Sequence, residues 1–228
     1  MKPMTLGDIV ARLEPEGLAL RGALHLAAGE LSLPPIGGAR TLILVGFVGA
    51  AGWPAFENSP ERRDGGADPL DRWSRRVVGA LAEACGGAAL YPFSGPPYHP
   101  FQRWARRADT VHVSPLGLLI HPKFGLWHSY RGALALAQRI DLPPLAATRA
   151  PCETCESRPC LGACPVGAFA PSSYDAAACI DHLRQSKGAE CMLGGCLARR
   201  ACPVGAKFAH EPAQARFHME AFRAARSV

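Results

Sequence analysis

The sequence CETCESRPCLGACPVGAF at residues 152–169 is followed by CIDHLRQSKGAECMLGGCLARRACPVGAKF at residues 179–208. Eight of the nine cysteines fall in these two stretches: Cys152, Cys155, Cys160, Cys164, Cys179, Cys191, Cys196 and Cys202. The stretch repeats itself, because Cys164-Pro-Val-Gly-Ala-Phe recurs 38 residues later as Cys202-Pro-Val-Gly-Ala-Lys-Phe. Eight thiolates are the number that two four-iron clusters need. The bacterial two-cluster pattern is C-x2-C-x2-C-x3-C-P, in which the fourth cysteine ligates the other cluster. This chain has C-x2-C-x4-C-x3-C-P, a single cysteine, then C-x4-C-x5-C-P. The wider gaps imply wider loops, with the ligand count still closing at eight. The crossed scheme assigns Cys152, Cys155, Cys160 and Cys202 to one cluster, and Cys164, Cys179, Cys191 and Cys196 to the other. Pro165 and Pro203 follow the crossing ligands and, lacking an N–H, turn the chain away.

Two four-thiolate zinc sites and a disulfide framework are the rivals. Structural zinc sites are usually built from C-x2-C pairs, and only one such pair is present. Zinc also gives no reason for the repeated Cys-Pro. Cys85 lies apart, on the apolar stripe of a helix, and reads as a packing residue.

The chain of 228 residues suffices for one large domain or two small ones, and its 48% hydrophobic content can fill a core. The net charge of +6 is spread along the sequence. It suits an acidic partner and is weak support for nucleic acid. The N-terminus, MKPMTLGDIVARLEPEG, has neither a signal-peptide core nor twin arginines, and the longest apolar run, residues 42–51, is far short of a membrane span. These features place the protein in the cytoplasm, off the membrane, where clustered thiols stay reduced and favour metal over disulfides.

Ahead of the cysteines, Thr5 caps a short helix with Leu6, Ile9, Val10 and Leu13 on one side. Residues 18–26 suggest a strand. The run TLILVGFV at 41–48 suggests a central strand covered on both faces. Residues 49–67 are rich in Gly, Pro and Asn and read as one long loop. Asp68-Pro69 reads as N-cap and first residue of a helix to about Cys85, with Leu70, Trp73, Val77 and Leu81 on its stripe. A strand over 88–93 and a helix over 99–109 follow. Arg103, Arg106 and Arg107 share one face of that helix, as a docking patch or a solvated face. Residues 111–140 suggest two strands around a turn at 122–125. Asp175 to Lys187 suggests a helix carrying Cys179. Pro212 to Val228 suggests an amphipathic helix with Phe217, Ala221 and Ala224 on one face and Arg223 and Arg226 near its end.

The cysteine module resembles the double-cluster domain of epoxyqueuosine reductases and, more loosely, of reductive dehalogenases, with Cys179-Ile-Asp-His-Leu at the helix opening. Ile120-His-Pro-Lys-Phe-Gly-Leu-Trp127 and Arg131-Gly132 are also similar to the cobalamin C-type proteins, and Asp68-Pro-Leu-Asp71 to a helix start in them. The resemblance implies an α+β chain: a nitroreductase-like α/β domain over 1–148, then a ferredoxin-like domain with two [4Fe-4S] clusters over 149–228. It implies an oxidoreductase in which a ferredoxin or flavodoxin donates electrons through the clusters to a small molecule or corrinoid. His121, Phe124, Trp127 and His128 would border the cobalamin pocket. A carrier whose N-terminal domain only docks a partner, and an FMN-dependent reductase, are the alternatives. Asp109 would stand where the reductases carry an essential aspartate. The region around it is shortened, and the export signal of dehalogenases and the tRNA-binding extension of the reductases are not seen in this sequence.

Overall fold

The computed structural model describes residues 4–27, 29–30, 38–170 and 173–225. In chain order the elements begin with helix α1 (Leu6–Leu13), strands β1 (Ala19–His25) and β2 (Thr41–Gly46), and helices α2 (Trp53–Glu57), α3 (Pro60–Arg63) and α4 (Pro69–Ala84). Strand β3 (Ala88–Leu90), helix α5 (Phe101–Ala108) and strands β4 (His112–Val113), β5 (Leu119–Ile120) and β6 (Gly132–Leu136) come next. Then follow helix α6 (Pro159–Gly162), strands β7 (Phe169–Ala170) and β8 (Ser173–Tyr174), and helices α7 (Ala176–Leu183), α8 (Ala189–Gly194), α9 (Leu197–Arg200) and α10 (Pro212–Ala225). The chain is therefore α+β. Among the described residues no helix is long and apolar enough to cross a membrane.

The chain divides into two compact units, Met1–Thr110 with Ser129–Ala146, and Val111–His128 with Ala147–Val228. The division expected from the sequence ran once, at 148. Instead the chain leaves the first unit at 110, returns at 129 and leaves again at 146. The physical reason is burial: Leu116, Ile120 and Leu126 pack with Cys160, Ala198 and Cys202. The expected pair of strands around residues 122–125 is accordingly not a pair. β5 folds back on β4, His121 bridges Gly125, and β6 joins a different sheet.

The first unit is built on an antiparallel sheet in the order β1-β2-β6-β3. All six residues of β2 are buried, as are all five of β6. Alternate side chains point to opposite faces, so both inner strands are covered on both sides. α4 packs on β3 and β6, and α5 on β1 and β2. Thr5 caps α1 through a reciprocal pair with Asp8, as its sequence suggests.

A β-bulge between Leu20 and Gly22 turns Arg21 inward, where it is 4% exposed. Its Nη2 donates to Asp109 Oδ2 at 2.8 Å, and the Tyr130 hydroxyl donates to the same oxygen at 3.0 Å. The Thr110 amide donates to the other oxygen. Asp109 is thus engaged in holding β1 to the end of α5. Gly22 permits the approach, since a Cβ there would stand 2.2 Å from the Ala108 carbonyl oxygen. Removing one partner of a buried ion pair strands the other charge, so Arg21→Met is expected to cost roughly 3–5 kcal/mol, read as a lower urea midpoint at unchanged slope.

Residues 49–67 are not one loop. Pro54 and Pro60 open α2 and α3, and Ser59 caps the second of these through the Arg62 amide. Two turns of this kind are too short to show a helical period. The segment is tied to α4: Arg72 pairs with both oxygens of Asp64 and reaches the Ala67 carbonyl, and Arg76 pairs with Glu61. Asp68 departs from its expected role. It is left-handed at φ 48° and makes no side-chain cap, and its carbonyl accepts the Asp71 and Arg72 amides. Arg131, at the start of β6, reaches back to Asp71, Ser74 and the Leu70 carbonyl.

These pairs make an acid-sensitive clasp. The hydrogen bond from Arg76 holds Glu61 below its ordinary 4.5, and that from Arg72 brings Asp64 from 3.8 to about 2. A depressed carboxylate contributes stability that is whole above its unfolded value and is lost as pH falls through its folded one. Stability is therefore expected to drop as pH falls from about 4.5 toward 2. Glu61→Gln should flatten the upper part of that slope in urea titrations at stepped pH.

In the second unit α10 packs on α8. Its buried residues are Gln214 and Ala215, with Met219 and Phe222 against Ile180, Leu183 and Cys191. The expected face of Phe217, Ala221 and Ala224 is not the buried one: Phe217 is half-buried and both alanines are exposed. Arg226 lies outside the described residues.

Candidate metal centre

All eight clustered cysteines lie in the second unit and none forms a disulfide. Short elements place them. Cys160 is on α6, Cys179 on α7, Cys191 on α8, and Cys196 immediately precedes α9. Cys152 sits in a single 3-10 turn over Pro151–Glu153.

Their mutual electrostatics sort them. Burial pushes the Cys152 thiol up, and the thiols that add to this are Cys202, Cys160 and Cys155. Burial and then Cys155 raise Cys160; burial and then Cys160 and Cys155 raise Cys202. For Cys179 the cause after burial that raises it is Cys196 with Cys164; for Cys191 it is Cys179 with Cys164; for Cys196 it is Cys191 with Cys164. The thiols that raise each of these six cysteines thus belong to its own set of four. The first set is Cys152, Cys155, Cys160 and Cys202; the second is Cys164, Cys179, Cys191 and Cys196. Cys164 and Cys202, the cysteines before proline, each sit with the set that is remote in sequence.

The first set lines one pocket, with Ile120, Pro203 and Val204 among its apolar walls. Backbone amides point at sulfur in both sets. The Val204 amide donates to Cys202 and the Leu161 amide to Cys160. In the second set Ala168 donates to Cys164 at 3.4 Å, Leu197 to Cys191, and Ala198 and Arg199 to Cys196. Such donors stabilise thiolate over thiol, and with it a metal-bound sulfur. Among the described residues no three or more His, Cys, Asp or Glu side chains gather as they would around one metal ion. In a four-iron cube each thiolate binds its own iron, so its four sulfurs stand further apart than those around a single ion.

The structure brings His121, Phe124, Trp127 and His128 together, but in the unit that carries the cysteines. His121 Nδ1 accepts the Lys123 and Phe124 amides, and its ring stacks on Phe124 with centroids 4.4 Å apart. Phe124 meets Phe208 edge-on. Trp127 is buried between Arg199, 4.4 Å above its ring, and His210. His128 Nε2 hydrogen-bonds to the Leu119 carbonyl. Burial first, then Arg199 and His218, push His210 down to about 2, so it is neutral beside that cation.

The 121–125 turn also touches the second Cys-Pro loop backbone to backbone. A Cβ on Gly125 would stand 1.8 Å from the Val204 carbonyl oxygen, and one on Gly205 2.3 Å from the Phe124 carbonyl carbon. The sequence reading missed this contact and missed Arg199, although Arg199 stands three residues from both Cys196 and Cys202. It also missed Tyr174, whose hydroxyl donates to Cys179. Cys85 has a thiol raised by burial, in keeping with a packing role.

Neither the comparison with protein-family models nor that with curated proteins gives a match.

Proposed function

We propose that the chain is an iron–sulfur electron-transfer protein whose eight clustered cysteines hold two [4Fe-4S] clusters in crossed fashion. The observation that carries this is the sorting of the thiols into two sets of four, each completed by a cysteine from the other half of the repeat. The amide donors to sulfur and the apolar pocket of the first set fit the same groups. Bound clusters supply one-electron transfer at low potential. The protein's part is to hold each thiolate, to limit water around it, and to aim N–H groups at it. Its donor belongs to the ferredoxin or flavodoxin class, and the reduced thiols suit a cytoplasmic setting.

The finer fold reading, a nitroreductase-like first unit beside a ferredoxin-like second one, rests on the resemblance. So does a corrinoid acceptor over His121, Phe124, Trp127 and His128, and the geometry adds no support to it. All four side chains are engaged by partners in the cysteine-bearing unit. The reading favoured by the geometry is therefore electron transfer first, with the acceptor decided by titration.

The anaerobically reconstituted protein should bleach in the visible with about two electrons of dithionite per chain, one for each cluster. Bleaching by less than one electron would remove the reading. Reoxidation of the reduced protein by cob(II)alamin would restore the corrinoid acceptor; no reoxidation would leave the carrier reading.

A further inference from the structure

The arginines of α5 stand in different surroundings. Arg103 and Arg107 line a recess together with Glu30, Pro100 and Trp104, and Arg106 does not. Positions 100, 103, 104 and 107 recur at the spacing of one helix face, so the recess runs along a single side of α5. It holds about 220 Å³, about seven times the roughly 30 Å³ that a water takes in the liquid. Trp104 is 2% exposed and is fixed by Phe101 and His99, whose rings lie 5.1 and 5.7 Å from its own. The recess therefore has a rigid apolar wall and guanidinium groups beside it.

The two arginines differ in what answers their charge. Arg107 donates to both oxygens of Glu30, and one of these also accepts the Ala27 amide at 2.9 Å. That hydrogen bond from Arg107 holds Glu30 below its ordinary 4.5, so the carboxylate is ionised at neutral pH. Among the described residues Arg103 makes no hydrogen bond or ion pair. The lining side chains thus carry two positive charges against one negative, and the uncommitted charge is that of Arg103.

Neither a solvated face nor a flat docking patch calls for a recess behind the arginines. The guanidinium fork matches the oxygens of a phosphate, which it binds through two parallel N–H groups. We propose that this recess binds a phosphate group, either free phosphate or the phosphate of a small organic monoester. Arg103 supplies the free fork and Arg107 the second cation. Trp104 and Pro100 form the apolar wall against which an organic body would lie. Arg106 has no part in the site. The proposal goes beyond the electron-transfer reading and does not depend on it, since every residue it uses lies in the sheet-bearing unit.

The test is isothermal titration calorimetry of the full chain in phosphate-free buffer at constant ionic strength, with inorganic phosphate and glycerol phosphate as probes. Inorganic phosphate should saturate a single site with Kd on the order of 1 mM or tighter. Arg103→Gln should weaken binding about tenfold, at an unchanged urea midpoint because Arg103 has no partner to lose. Arg103→Lys, which keeps the charge and loses the fork, should fall between the two. Arg106→Gln removes the same charge from the same helix outside the recess and should change affinity by less than about twofold. Tighter binding of glycerol phosphate than of inorganic phosphate assigns the site to an organic monoester; equal or weaker binding assigns it to free phosphate. The proposal is overturned if wild type shows no saturable binding of either probe up to about 10 mM, if Arg103→Gln binds as wild type does, or if Arg106→Gln loses as much as Arg103→Gln. An iron count on the same samples reads the cluster assignment separately, so the failure of one is seen apart from the failure of the other.

Discussion

Cys202→Ala is expected to halve the iron of the reconstituted protein, from about eight to about four irons per chain, and to abolish the same EPR signal that Cys155→Ala abolishes. Proximity in sequence argues otherwise, because Cys202 follows Cys191 and Cys196 within one short segment. Its thiol neighbours, however, are Cys160 and Cys155, and it lines the pocket that they line. Cys164 is the mirror case, close in sequence to Cys160 yet acting on Cys179, Cys191 and Cys196. Cys164→Ala should therefore match Cys191→Ala. If Cys202→Ala matched Cys191→Ala instead, the sets would be local and the crossed assignment wrong. Loss of all iron in both single variants would show one interdependent site, which contradicts the account equally.

Gly125→Ala is expected to strip the first cluster and to destabilise the protein by about 3 kcal/mol or more, from steric overpacking and left-handed strain together. Gly125 has φ +58°, and its absent Cβ would overlap the Val204 carbonyl, which is backbone and cannot rotate away. Gly205, at φ +70°, meets Phe124 from the other side. Two backbones in contact leave no side chain to yield, so the Cys202-Pro203-Val204 loop must move and carry Cys202 with it. Gly117→Ala separates strain from contact. Its φ is +72°, but a Cβ there meets nothing within 4 Å. It should cost only about 1 kcal/mol and keep its iron. Thermal melts with iron analysis after desalting read both variants; full iron retention in Gly125→Ala would deny the contact its importance.

The candidate site was legible in the sequence as a proposal because cysteine is rare and its spacing is a constraint in itself. The repeated Cys-Pro points to the crossing partners, and the proposed two sets follow from it. The strand at 41–48 and the helix from 69 were legible for a different reason. A continuous apolar run and a long apolar stripe each report burial without reference to any partner. What stayed hidden depends on partners. Residues 111–128 look like neighbours of β6 along the chain, and only Leu116, Ile120 and Leu126 packing on Cys160 and Cys202 reveals their unit. Helices α2 and α3 are too short to show a period. On α10 the buried Gln214 breaks the rule that the apolar face is the inner one, so the stripe of Phe217, Ala221 and Ala224 misled. Arg199 was invisible because its bonds to the Leu126 carbonyl and its packing on Trp127 join segments distant in sequence.

The central claim is that eight thiolates hold two four-iron clusters. The measurement that bears on it most directly is iron, acid-labile sulfide and zinc determined together on one anaerobically purified sample. About eight irons and eight sulfides per chain with negligible zinc are expected. About two zinc ions per chain with little iron and no sulfide would contradict it.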